Sequence, residues 1–175
     1  RRPKIIYFMS CNNVRVQDVT LRNSAYWTQD YEKCDGVIVR GVKVYCHSNW
    51  NNDGLDIDSR NVVVSDCYID CDDDALCLKS DTDTPCENVT VTNCVLKTNC
   101  NAIKFGTSSY SGFKNVTISN CVIDRASEDH IRQWYKNYPW LGTKDKTVVA
   151  GIALESVDGG LMENVIISDI AMRAV

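Results

Sequence analysis

Two short aspartate-rich segments of this 175-residue sequence carry the groups that could do acid–base chemistry. Asp53 stands in the run Asn-Asn-Asp-Gly-Leu-Asp at residues 51–56, and Asp73 follows 20 residues later with Asp74 beside it. Carboxylates that lie close together raise one another's pKa, so that one keeps its proton while another is ionised. Hydrolysis of a glycosidic bond needs such a pair, an acid for the leaving oxygen and a base for water. A calcium site and plain polar turns are the other interpretations.

A repeat in the sequence indicates what positions these aspartates. Six segments fit one template, in which apolar residues alternate with variable ones and a small polar residue or glycine stands fifth. The segments start at Val14, Val37, Val62, Val89, Val116 and Val165. The alternation has the period of a β-strand, and Asn precedes the segment in five of the six cases. Because Asn tolerates left-handed backbone at a tight corner, a column of stacked Asn turns is expected.

A second strand recurs within the later repeats. The segments 54–59, 75–80, 102–107 and 151–156 align without gaps. Each repeat contains two or more strands, and helical periodicity is almost absent. This pattern predicts an all-β fold, namely a parallel β-helix (solenoid) of about six coils in which like residues stack on like. A leucine-rich repeat has a similar period, but its Asn follows the strand. The alignment places Asp53 beside Asp74 on one edge of neighbouring coils, with Asp73 one residue earlier.

Composition narrows the class of protein. The formal net charge is −4, whereas a nucleic-acid-binding domain usually carries a basic surface. No apolar run approaches the ~20 residues of a membrane span, so neither nucleic acid nor membrane is an expected partner. The ten cysteines fall mostly at fixed positions of the repeat, which favours buried thiols over a disulfide scaffold or a zinc site. The chain starts at Arg1 without a methionine and ends after a strand-like stretch, so a fragment of a longer β-helix is expected.

Residues 125–148 break the repeat. The chain is otherwise expected to be a single β-helix domain, residues 1–175, with this segment as an insertion. A short helix is expected after Ser127, which would cap it. Trp134 offers a flat aromatic face to a sugar ring, and His130 could swing over the aspartates. The segment is interpreted either as a lid beside a groove or as a loop packed on the outside of the coils.

The sequence resembles glycoside hydrolase family 28, the polygalacturonase and rhamnogalacturonase family. The family's Asn-Thr-Asp-Gly-x-Asp motif is matched by residues 51–56, and its Asp-Asp motif with an aliphatic strand behind it is matched by residues 73–78. The resemblance covers nearly the whole chain and implies a right-handed parallel β-helix. It also implies a hydrolase that uses no cofactor or metal, acts on a pectic or other plant polysaccharide or oligosaccharide, and is extracellular or periplasmic.

The resemblance implies a role for each aspartate. By the family's inverting scheme Asp73 is the general acid, while Asp53 and Asp74 activate the water. The residues expected to contact the substrate are Asn51, Asp56, Lys79, Asn101, Lys104, His130 and Trp134.

Two motifs depart from the family pattern. Asn101 stands where the family has the His of Gly-His-Gly, and residues 153–155, Ala-Leu-Glu, stand where it has Arg-x-Lys. Those cations typically hold the carboxylate of the substrate, and Lys79 and Lys104 are the residues that could partly replace them. A pectic side chain or an uncharged end sugar is therefore expected rather than a long galacturonan.

Two other functions stay open on the sequence. A polysaccharide lyase would place Ca²⁺ on the aspartates and use Lys79 or Lys104 as the base. A non-catalytic glycan-binding β-helix would keep the fold without the chemistry, and the two departures from the family motifs favour it.

Overall fold

A computed structural model of the chain describes residues 2–81, 83–128, 148–173 and 175. Within these ranges the protein consists of strands and turns, and none of the described residues forms a helix that is long and apolar enough to span a membrane. The strands are β1 (Ile6–Met9), β2 (Asn12–Gln17), β3 (Thr20–Arg22), β4 (Gln29–Arg40), β5 (Lys43–Cys46), β6 (Leu55–Ser65), β7 (Tyr68–Cys71), β8 (Leu76–Ser80), β9 (Cys86–Thr92), β10 (Val95–Thr98), β11 (Asn101–Ser109), β12 (Phe113–Arg125), β13 (Ala150–Leu154) and β14 (Met162–Met172).

All strand pairs among the described residues are parallel, and each strand pairs with its equivalents on the neighbouring coils, the first and last strands of each wall on one side only. This confirms the predicted all-β parallel β-helix. The six template segments stack in register, from Val14 through Val37, Val62, Val89 and Val116 to Val165. β-Branched residues at alternate positions suit such a wall, because one face packs inside while the other faces out.

The polar positions of the template are corners of the coils. The Asn before five of the six segments has a positive φ, 55° at Asn13 and 54° at Asn115, and Gly36, with a φ of 76°, takes this place before Val37. Successive Asn side chains form a hydrogen-bonded ladder. Asn88 Nδ2 donates to Asn61 Oδ1 and Asn115 Nδ2 donates to Asn88 Oδ1, each at 3.0 Å. The fifth template position is also left-handed in every coil, which is why it accepts only Asp, Asn or Gly. The predicted stack of Asn turns is therefore confirmed.

The core is a column of aliphatic side chains and thiols. Leu55, Leu76 and Ile103 stack in one inward row and have no exposed surface. Nine of the ten cysteines are buried as free thiols, and Cys11 is partly buried. Seven of the nine buried thiols, all except Cys77 and Cys100, belong to the hydrophobic core and act as small apolar side chains that fill the coil interior.

One wall positions the site and is called the site wall below. It consists of β1, the first residues of β4 and β6, and then β8, β11 and β13. Its outward residues include Tyr7, Asp30, Asp56, Cys77 and Lys104, which lie in one row across successive coils. Most of the insertion predicted at 125–148 lies outside the described residues, as do the helix expected after Ser127, His130 and Trp134.

Candidate active site

The three predicted catalytic aspartates meet where the chain turns into the site wall. Asp53 precedes β6 and Asp74 precedes β8, and the amide of Gly54 donates to the carbonyl oxygen of Asp74 at 2.8 Å. Asp53 and Asp74 are therefore neighbours on adjacent coils, as the alignment predicted. Asp73 stands in the same turn, and all three are nearly enclosed, at 3–6% exposure.

Asp74 is held by charge and by hydrogen bonds. Lys104 Nζ lies 3.0 Å from Asp74 Oδ2, and Asn101 donates to Asp74 Oδ1 from its side-chain Nδ2 at 2.7 Å and from its backbone at 3.2 Å. Burial opposes the charge on Lys104, but the neighbouring carboxylates of Asp74 and Glu155 raise the pKa of Lys104 above its usual range. Two predicted substrate contacts, Asn101 and Lys104, therefore both bind the carboxylate of Asp74.

Asp53 is in the opposite situation. Burial raises the pKa of Asp53 well above its usual range, and the negative charges of Asp56, Asp73 and Asp74 raise it further. Its Oδ1 atom has no hydrogen-bond partner in the described part of the chain. Burial and the neighbouring negative charges thus favour the protonated form of Asp53. The cluster contains both a carboxyl group on which a proton is favoured and a carboxylate with a cation beside it.

Lys79 and Asp56 form a buried pair next to the three aspartates. Lys79 Nζ lies 3.4 Å from Asp56 Oδ1 and 4.6 Å from the centroid of the Trp27 ring. Burial opposes the charge of Lys79, but Asp56 raises the pKa of that ammonium. Asp56 has no exposed surface, so in this structure it supports Lys79 rather than facing solvent.

The segment before β1 adds two more cations, Arg2 and Lys4. Lys4 forms an ion pair with Asp30, and its Nζ lies 4.2 Å from the Tyr7 ring centroid. Arg2 binds neutral groups, reaching Asn49 Oδ1 at 3.0 Å and Asn51 Oδ1 at 3.1 Å. The predicted contact residue Asn51 is exposed and lies close to Asp53 in the chain, so a ligand can reach it.

A layer of buried polar residues fixes the turn of Asp73. Asn52 accepts from the Asp73 amide at 3.0 Å and donates to the Cys46 carbonyl oxygen at 2.7 Å, while the Thr98 hydroxyl donates to the Asp73 carbonyl oxygen. The position of the Asp73 backbone is thereby set from the coil before it and the coil after it.

His47 belongs to the same layer and was not predicted. Its Nε2 lies 3.1 Å from Asp70 Oδ1 and its Nδ1 lies 3.3 Å from Asp72 Oδ1, with the imidazole 7% exposed. Burial opposes protonation, but hydrogen bonds to the two carboxylates raise the pKa of His47 to about 9. Burial likewise opposes ionisation of Asp70, and His47 and the amide of Ser127 nevertheless lower its pKa. The two carboxylates therefore favour the imidazolium form of His47, which lies between them beside the turn of Asp73.

Asn99 connects this cluster to the start of the insertion. Its Nδ2 donates to Asp72 Oδ1 at 2.7 Å and to the Glu128 carbonyl oxygen at 2.5 Å. The sequence carried a signal for these residues, because His47 precedes Asp72 by 25 residues, which is one coil.

Metal-ligand atoms also come together here. Asp73, Asp74 and Cys100 each offer one such atom, all within 4.8 Å of one another, and no other such group of three occurs in the described ranges. Calcium prefers six to eight oxygen ligands, and a buried thiol is a poor match for it. The donor set therefore does not fit the calcium of a lyase well.

Comparison with known proteins agrees with this picture. The sequence model of the family described as glycosyl hydrolases family 28 matches residues 1–132. A protein of Arabidopsis thaliana named probable polygalacturonase is 34% identical over 83 residues, 46% of this chain and 18% of that protein. One of Vitis vinifera with the same name is 30% identical over 84 residues, 47% of this chain and 17% of that protein. The matched regions thus cover less than a fifth of the length of either relative.

Proposed function

This chain belongs to family 28 of the glycosyl hydrolases, and from that premise we propose that it hydrolyses O-glycosidic bonds of a pectic polysaccharide or oligosaccharide. The observation that carries the proposal is the meeting of Asp53, Asp73 and Asp74 on adjacent coils, with a proton favoured on Asp53 and a cation beside Asp74. Polygalacturonase-like relatives support a pectic substrate.

The proposed reaction is a single displacement with inversion. A carboxylic acid protonates the glycosidic oxygen as the bond from C1 to that oxygen breaks, and a carboxylate takes a proton from the water that attacks C1 from the opposite face. Asp73 is assigned as the acid from the family resemblance. Asp74, in contact with Lys104 and Asn101, suits the base. The raised pKa of Asp53 makes it a second candidate for the proton donor.

Two variants separate these roles. Asp73→Asn and Asp53→Asn are assayed on a natural pectic oligosaccharide and on the same sugar carrying an activated aryl leaving group. Loss of the general acid is expected to cost about 100- to 10,000-fold on the natural substrate, and much less on the aryl glycoside because its leaving group needs no proton. Full activity of Asp73→Asn on the natural substrate contradicts the assignment of Asp73 as the general acid. If only Asp53→Asn regains activity on the aryl glycoside, Asp53 is the general acid instead.

The stereochemistry is read in the same experiment. Proton NMR of the first product formed distinguishes the inverted anomer from the retained one. Retention contradicts the single displacement, because it requires a covalent intermediate on one carboxylate.

The two competing functions give different outcomes. A lyase forms an unsaturated product that absorbs in the ultraviolet and stops when a chelator is added, with Lys79 or Lys104 as the base. A glycan-binding protein retains affinity in Asp73→Asn and releases no sugar in either protein. An extracellular or periplasmic location, where pectin is available, belongs to the proposal and is tested by following the full-length protein in cell fractions.

A further inference from the structure

Glu155 lies at the end of the site, on the coil after Lys104. Its amide donates to the Phe105 carbonyl oxygen at 2.8 Å, which fixes it beside β11. Its Oε2 lies 3.6 Å from Lys104 Nζ, and the same ammonium lies 3.0 Å from Asp74 Oδ2. The two contacts keep the carboxylate of Glu155 within about 7 Å of the catalytic carboxylate of Asp74, a distance at which charges still interact appreciably.

Glu155 is open to a ligand, whereas its neighbours are enclosed. Its side chain is 34% exposed, compared with 14% for Lys104 and 5% for Asp74. A sugar that reaches Asp74 from this side therefore meets the Glu155 carboxylate before it meets the ammonium.

The cations near the aspartates are already paired. In the described part of the site wall the lysine–carboxylate pairs are Lys4 with Asp30, Lys79 with Asp56, and Lys104 with both Asp74 and Glu155. Asp53 and Asp73 add further acidic groups. Arg2, which binds neutral groups, lies by the loop that precedes Asp53. No described cation on the Lys104 side is thus left to neutralise a carboxylate of the substrate.

We propose that Glu155 is a specificity-determining residue that selects a sugar without a free carboxylate, either a neutral sugar or an esterified uronic acid, on the Lys104 side of the site. The inference rests on the proposed glycosidase function and names the charge of its substrate at that position. Glu155 acts in two ways, because it repels a carboxylate directly and also occupies the ammonium that would otherwise bind it.

A matched pair of substrates tests this. One is a pectic oligosaccharide with free carboxylates, and the other is the same oligosaccharide with its carboxylates methyl-esterified, so that the two differ in charge and share their linkages. Wild-type protein, Glu155→Gln and Glu163→Gln are compared in the full-length chain. Glu163 is exposed on β14, in another wall, and serves as the control for losing one surface carboxylate.

The wild-type protein is expected to have the higher kcat/KM on the esterified substrate. For a substrate carboxylate placed as far from Glu155 as Asp74 is, about 7 Å, removal of the unit charge of Glu155 changes the interaction by roughly 3- to 50-fold for effective dielectric constants between those of water and a protein surface. Glu155→Gln is therefore expected to raise the ratio of kcat/KM on the free acid to kcat/KM on the ester by about that factor, because any effect of Glu155 on Asp74 through Lys104 is common to both substrates and cancels in the ratio. Added salt reduces the wild-type preference, and Glu163→Gln matches wild type on both substrates.

Two results overturn the inference: a wild-type preference for the free acid, or a Glu155→Gln effect that is equal on the two substrates. Failure of the proposed function looks different, since neither substrate is then cleaved by any of the proteins. In that case calorimetry measures the affinity of wild type and of Glu155→Gln for the same two oligosaccharides. Wild type is then expected to bind the esterified oligosaccharide more tightly than the free acid, and Glu155→Gln is expected to reduce that difference.

Discussion

Replacement of His47 by glutamine is expected to lower the free energy of unfolding by about 3 kcal/mol at pH 6 and by much less at pH 10. The imidazole lies between Asp70 and Asp72, both of which are enclosed in the coil corner. Glutamine is uncharged, so both buried carboxylates lose the imidazolium, and the only described cation that Asp70 keeps is the more distant Lys97, whose Nζ lies 3.8 Å from Asp70 Oδ2. Loss of one partner from a buried ion pair is costly because it leaves a buried charge without compensation.

The magnitude follows from the pKa of His47, which is raised from 6.5 to about 9 in the folded protein. A shift of one pKa unit corresponds to about 1.4 kcal/mol, so the shift stabilises the folded state by about 3 kcal/mol. Because the folded pKa is the higher one, this stabilisation is complete below about pH 6.5 and is lost as the pH rises through about 9. The imidazole is 7% exposed, so solvent screening reduces the effect little.

The assay is thermal and urea unfolding of wild type and His47→Gln at pH 6 and pH 10, with the difference between the proteins taken at each pH. Groups common to both proteins cancel in this comparison. For a chain of this length about 3 kcal/mol corresponds to a difference in Tm of about 6–12 °C at pH 6. Proton NMR follows the titration directly, since the chain has only two histidines and His130→Gln assigns the other resonance. An equal stability difference at both pH values, or a His47 resonance that titrates near its ordinary pKa, refutes the reasoning.

Two further changes test the site and the corners of the coils. Lys104→Met is expected to lower kcat by about 10- to 100-fold, because Asp74 loses its cation and faces Glu155 unscreened. Addition of Glu155→Gln to this variant should restore part of the loss. The kinetics of the two single variants and of the double variant give the coupling between Lys104 and Glu155, and strictly additive effects contradict it. Asn115→Ala is expected to lower the free energy of unfolding, measured in urea, by about 1–3 kcal/mol. The change removes the hydrogen bonds of the Asn ladder and places alanine, which disfavours left-handed backbone, at a φ of 54°. Asn115→Gly should lose less, since glycine accepts that backbone, and an equal loss in both variants assigns the whole cost to the hydrogen bonds.

The repeat made the fold and the adjacency of the aspartates predictable from the sequence. Strand period and corner Asn residues together determine the register, because a slip by one residue would turn the apolar side chains outward and move the Asn from its corner. The neighbouring positions of Asp53 and Asp74 follow from that register without any knowledge of side-chain conformation.

The burial of outward-facing side chains and the identity of their ion-pair partners could not be predicted in the same way. Asp56 points away from the core, as the alternation requires, yet it has no exposed surface because the Lys79 side chain pairs with it. Strand alternation gives the direction of a side chain and says nothing about what a long neighbouring side chain covers. His47 was missed for a different reason. It lies at a corner outside the strand template, and only a search for charged pairs one coil apart would have joined it to Asp70 and Asp72.

The same one-coil spacing separates the chemistry of the site from its recognition of the substrate. Asp53 is on the coil of β6, and Asp73 and Asp74 are on the coil of β8, where both family motifs are matched. The two departures from the family, Asn101 and Glu155, are on the following two coils, and both act on Asp74, the first directly and the second through Lys104. A substitution of Glu155 can change the charge presented to a substrate without moving the proposed acid–base groups, because the turns of Asp53 and Asp73 are fixed by hydrogen bonds on their own and neighbouring coils that do not involve Glu155. A change of sugar specificity with retained hydrolysis is thus physically simpler in this fold than loss of the chemistry. This argument, together with the three converging aspartates, favours the proposed hydrolase over a protein that only binds glycans.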